Sequence, residues 1–73
     1  MTKQDYTPDW ASIEPEYKWV AVDFDGFVCK FTHEPVALGH IHITSFGAAS
    51  HVEMIDPPGE NFINMIYERP DGR

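Results

Sequence analysis

Basic residues are scarce in this sequence: 5 Lys and Arg stand against 12 Asp and Glu, a formal net charge of −7 over 73 residues. That imbalance repels phosphate backbones and anionic lipid surfaces, which argues against direct nucleic-acid binding and against a membrane partner. Cysteine is scarcer still. A lone thiol, Cys29, excludes a disulfide within the chain and the paired thiolates of a structural zinc site, and it fits a reducing compartment. Long apolar runs are missing as well. Nothing approaches the roughly 20 apolar residues that span a bilayer, and Met1 to Asp9 is polar without an apolar signal core, so a cytoplasmic protein is expected.

What the chain does have is enough apolar material to fold. Hydrophobic residues make up 42% of it and aromatics 14%, so burial can offset the entropy of ordering in a way an acidic tail could not manage. A chain this short forms one domain with a modest core. The expected organisation is a single domain over 1–73, with an N-terminal arm at 1–15 and a folded body at 16–70. The arm carries Pro8, Pro15 and the acids Asp5, Asp9 and Glu14, with Glu16 just beyond and no basic residue after Lys3. Tyr6, Trp10 and Ile13 are its apolar members and are expected to pack back on the body.

The strongest structural signal runs over 17–33, where two β-prone runs flank Asp25-Gly26, a dipeptide suited to a two-residue hairpin turn. That turn would pair Phe24 with Phe27, Val22 with Cys29 and Val20 with Phe31 on an apolar side, leaving Tyr17, Trp19 and Asp23 on a solvent side. Pro35 would end the second strand. Leu38 to Phe46 alternates again and predicts a third strand, with His40 and His42 sharing a face. Gly47 to Ser50 reads as a turn, and His51 to Ile55 as a short fourth strand. Phe62, Ile63, Ile66 and Tyr67 fall at helical spacing before Pro70, which predicts a helix over about 60–69 with Asp56 as its cap. The expected fold class is therefore α+β: a small antiparallel sheet of three or four strands, a central hairpin at 17–33, a short C-terminal helix and a flexible N-terminal arm.

Few constellations suggest chemistry. Val20 to Gly26 looks like the first motif of the haloacid-dehalogenase phosphatases, an apolar strand followed by Asp-x-Asp-Gly, but Phe27 stands where Thr or Ser is expected. That family also needs a much longer chain, and a tight turn explains an exposed Asp without chemistry. Asp23-x-Asp25-Gly26 begins like a calcium loop and has Glu34 at the twelfth position, yet Val28 to Phe31 offers a β pattern and Lys30 in place of ligands. His33, His40, His42 and His51 read as surface histidines, and Cys29 as a small core hydrophobe. Neither an enzyme nor a cofactor is expected.

Two segments carry a resemblance. Tyr17-Lys18-Trp19-Val20-Ala21-Val22-Asp23-Phe24-Asp25-Gly26, running on through Phe31 to Pro35, and Pro57-Pro58 followed by Phe62, Ile66 and Glu68-Arg69-Pro70, resemble a loose group of small accessory proteins of bacteriophages and prophages. The likeness covers about half the chain. It implies a host-directed regulator in the bacterial cytoplasm that docks on a large machine, first of all RNA polymerase, and alters initiation or termination by protein contact. The alternative it implies is an inhibitor of a nucleic-acid-guided defence nuclease whose carboxylates imitate phosphates. In either case the expected contact residues are Asp5, Asp9, Trp10, Glu14, Glu16, Tyr17, Trp19, Asp23 and Asp25, presented by a monomer to a basic protein surface.

Overall fold

The two β-prone runs around Asp25-Gly26 do form strands, and among the described residues six strands account for most of the regular structure. The computed structural model describes residues 6–70. A four-stranded antiparallel sheet is ordered β5-β2-β1-β6, from β1 (Trp19–Val22), β2 (Phe27–Phe31), β5 (Ala49–Met54) and β6 (Ile66–Glu68). A separate two-stranded sheet pairs β3 (Val36–Leu38) with β4 (Ile41–Ile43). Two 3-10 segments, Trp10–Ser12 and Gly59–Asn64, complete the described elements.

Both faces of the central strand β1 are covered, which is why Val20, Ala21 and Val22 are all fully buried. On one face Val20, Val22 and Val28 pack with Ile13 and Met65, joined by Tyr6, Trp10, Tyr17, Val52, Ile55 and Tyr67. Each of these buried valines contributes about 1.5–3 kcal/mol. The segment from Tyr6 to Tyr17 thus forms a layer over that face. The other face, which holds Ala21 and the buried Phe31, receives β4: the His42 amide donates to Asp23 Oδ1 at 2.8 Å and the Phe24 amide to the His40 carbonyl at 2.9 Å.

Three expectations are corrected by this architecture. The first is the C-terminal helix, because the described residues contain no α-helix and the fold is a β structure. Gly59–Asn64 is a 3-10 segment with no side-chain cap from Asp56, and Ile66–Glu68 is an edge strand against β1. Phe62 and Met65, three residues apart, are the buried pair, which suits the three-residue turn of a 3-10 helix. Beyond them, the open edge of a fully buried β1 needs backbone partners, and Ile66 to Glu68 supplies them.

The second correction concerns the hairpin register. Val22 pairs with Val28, Ala21 with Cys29, Val20 with Lys30 and Trp19 with Phe31, one residue away from the expected pairing. The loop has three residues, Phe24-Asp25-Gly26, closed by the Asp23 amide on the Phe27 carbonyl at 2.8 Å and the Gly26 amide on the Asp23 carbonyl at 2.9 Å. Asp25 Oδ1 accepts the Phe27 amide, and Gly26 takes φ +94° as the last loop residue. A slip of one residue exchanges the faces. Phe24 therefore leaves the ladder and stacks on His40 at 4.3 Å.

The third correction concerns the arm and the middle of the chain. From Tyr6 onward the arm is a packed layer containing the buried Pro8 and Ile13, so the described part is integral to the fold. The run read as one third strand is a hairpin, with Gly39 at φ +63° in its two-residue turn. His40 therefore sits in the turn while His42 is buried. The segment read as a turn at 47–50 already enters β5 at Ala49, and Val52 is the extra residue of a bulge opposite Val28 and Cys29.

Candidate functional site

The layer formed by residues 6–17 packs on the core through Tyr6, Trp10, Ile13 and Tyr17 and is tied down by two cations, and that is what builds the site. Arg69 follows β6 and reaches back under this layer. Its Nε donates to the Tyr17 carbonyl at 3.1 Å, and its Nη2 donates to the carbonyls of Ile13 at 3.0 Å and Glu14 at 2.9 Å. Its guanidinium lies 4.8 Å from the centre of the Trp10 ring. Lys30 emerges from β2 on the same side, 4.8 Å from the centre of the Tyr17 ring, and donates to Glu14 Oε1 at 2.6 Å. That hydrogen bond holds the Glu14 carboxyl below its ordinary range. Two of the three cations in the described residues are thus engaged inside the protein, and Lys18 is left exposed.

Between this layer and β5 lies a cleft of about 370 Å³ whose rim carries Tyr6, Asp9, Lys30, His51 and Glu53. Tyr6 donates its hydroxyl to Glu53 Oε2 at 2.9 Å, and burial followed by the Glu53 carboxylate pushes the phenol well above its usual range. Asp9 Oδ2 accepts from Ser12 Oγ at 2.6 Å, which fixes the start of the 3-10 turn. Both carboxylates keep lone pairs open to solvent. The cleft is therefore an acidic notch with fixed walls, suited chemically to a Lys or Arg side chain brought by another molecule.

The expected contact residues are dispersed by the fold. Asp9, Glu14 and Glu16 are exposed on the covering layer, and Asp25 is exposed at the tip of the β1–β2 loop. Trp10 and Tyr17 are half-buried and pack against the core, with Arg69 and Lys30 over their rings. Trp19 is half-buried, and its register places it on the face opposite Val20, so Tyr17 and Trp19 do not form one aromatic platform. Asp23 is buried, only 8% exposed, and its Oδ1 accepts the His42 amide. Asp5 lies outside the described residues. Glu53, which no local pattern in the sequence singles out, joins the site because the β5 pairing carries it beside Tyr6.

A second buried polar group lies across the sheet. The His42 ring is fully enclosed, its edge against Phe62 at 5.4 Å, and neither ring nitrogen has a hydrogen-bond partner. Nδ1 stands 3.4 Å from Asp23 Oδ1, off the line of a hydrogen bond. Burial lowers the His42 pKa from its ordinary value, and the neighbouring Asp23 carboxylate opposes that shift. Cys29 is half-buried and its thiol is pushed up by burial, then by the fields of Asp23 and Asp25. Among the described residues no group of three or more His, Cys, Asp or Glu could hold a metal ion, and no helix is long and apolar enough to cross a membrane. No family model, curated protein or solved structure matches the chain.

Proposed function

We propose that this chain is a non-enzymatic docking protein that binds a basic protein surface, with bacterial RNA polymerase as its first partner and altered transcription in the bacterial cytoplasm as the result. The observation that carries the reading is the cleft walled by Asp9 and Glu53, on a molecule whose cations Lys30 and Arg69 are turned to internal partners. Such a surface offers carboxylates beside a Lys30 already paired with Glu14, which favours encounter with a basic patch and gives an association rate that falls with salt. The resemblance to phage accessory proteins supports polymerase as the machine.

The test is direct binding of the chain to purified polymerase, together with promoter-dependent and terminator-dependent transcription. Binding that weakens as salt rises is expected, with a loss of about tenfold or more in the double variant Asp9→Asn, Glu53→Gln if the notch seats a basic side chain. Purified polymerase that neither retains the protein nor changes its transcript pattern would remove polymerase from the reading. Competition between the protein and guide nucleic acid for a defence nuclease would support the alternative partner.

A further inference from the structure

All the charge in this acidic chain lies on either side of one uncharged stretch: no Asp, Glu, Lys or Arg occurs between Glu34 and Glu53. That stretch forms β3, β4 and most of β5. In the β3–β4 hairpin Val36 pairs with Ile43 and Leu38 with Ile41, so alternation puts all four aliphatic side chains on one face. The partners Ala37 and His42 point the other way, and His42 is the side chain buried against the body. Most of the aliphatic face is left open, with Val36 58% exposed, Leu38 59% and Ile41 47%, while Ile43 is half-buried.

We infer that this hairpin face is a self-association surface, on which a second copy of the chain packs face to face about a two-fold axis. Two copies at net −7 repel each other over carboxylate-bearing surface, and this uncharged hairpin face lets them approach without apposing like charges. An aliphatic face is complementary to itself, as a two-fold contact requires. A patch of this kind is of the order of a few hundred Å², below the roughly 800 Å² per partner of a standard interface, so the dimer is a weak, concentration-dependent one. It differs from the monomer expected from the sequence, and it is independent of the docking role proposed for the acidic cleft.

The experiment is sedimentation equilibrium of the full chain above pH 7.5, where histidine is mostly neutral, from about 10 µM to about 1 mM and at low and high salt. The expected mass rises with concentration from that of one 8.4 kDa chain toward twice that value. Association should strengthen with salt, because screening removes the repulsion, whereas docking of the cleft on a basic partner should weaken. Leu38→Glu should abolish the dimer while keeping the far-ultraviolet circular dichroism of the parent. Val36→Thr, nearly isosteric and well suited to a strand, should weaken it several-fold if Leu38→Glu fails to fold. Asp9→Asn with Glu53→Gln should leave it in place. Three results would overturn the inference: a single-chain mass throughout the range, a dimer untouched by folded Leu38→Glu, or a chain that stays monomeric while Leu38→Glu blocks polymerase binding, which would assign the face to that partner.

Discussion

Asp23 shows how one residue can look like surface chemistry in the sequence and serve the interior in the fold. Its amide closes the β1–β2 loop on Phe27, its carbonyl accepts from Gly26, and its carboxylate accepts the His42 amide that seats β4. Asp23→Ala leaves a buried donor without its partner, an expected loss of about 1–3 kcal/mol in urea denaturation, and Asp23→Asn, which keeps an acceptor, should lose less. The enclosed ring of His42 makes stability depend on pH. Its folded pKa lies below its ordinary value of 6.5, chiefly through burial, so folded and unfolded chains are both neutral there at high pH. As pH falls through 6.5 the unfolded chain takes up a proton that the folded one resists, and stability drains away down to the folded pKa. The urea midpoint should therefore drop between about pH 7.5 and 5.5, and His42→Phe, which keeps an aromatic ring against Phe62, should flatten that part of the drop. A midpoint with the same pH slope in both proteins would assign the effect to other groups.

At the scale of elements, two glycines in left-handed turns separate strain from collision. A Cβ on Gly26, at φ +94°, would stand 2.2 Å from the Ile55 carbonyl oxygen, a backbone atom with no freedom to yield. Gly39, at φ +63°, has nothing within 4 Å. Gly39→Ala should therefore cost about 1 kcal/mol of conformational strain, and Gly26→Ala about 2 kcal/mol or more, since overpacking adds to the strain; thermal melts of the two variants side by side test the ordering. The same loop shows where reading the sequence stops. Alternation and the Asp25-Gly26 pair announce β1, β2 and a turn, but whether Gly26 is the second or third loop residue is settled by the Ile55 amide on the Gly26 carbonyl at 2.9 Å, a contact from far along the chain. The segment after Gly59 departs from its local pattern for a related reason. Apolar residues at 62, 63, 66 and 67 fit helical spacing, and the open edge of β1 outweighs that weak local preference by recruiting Ile66 to Glu68. Asp9, Glu14 and Glu16 stand out in the sequence as acids with no basic residue among them, and of the three the fold puts Asp9 on the cleft. Glu53 does not stand out, because its partner Tyr6 lies 47 positions away.

For the molecule as a whole, stability and the proposed site converge on Arg69. A sheet of short strands cannot hold a long covering layer by burial alone, and domains of this size have only a few kcal/mol in reserve. Arg69 ties the two ends of the described chain together: its own amide donates to the Lys18 carbonyl at 2.7 Å, while its side chain bonds carbonyls 52 to 56 positions earlier. Arg69→Met preserves the aliphatic stem but leaves the carbonyls of Ile13, Glu14 and Tyr17 without these donors. The part-buried pair, Ile13 and Tyr17, carries most of the expected loss of about 1–3 kcal/mol. Arg69→Lys restores at most part of it, since an ammonium cannot reproduce the fork of a guanidinium. If the layer is a cooperative part of the fold, amides of residues 12–17 in Arg69→Met should exchange with solvent faster, and the Trp10 emission should shift to the red, while the β1 and β2 amides stay protected in the surviving folded state. The acidic notch depends on the same layer for one of its walls, so this variant should also lose affinity for a basic partner without altering a single carboxylate. Retained protection of residues 12–17 together with unchanged binding would separate the clamp from the site.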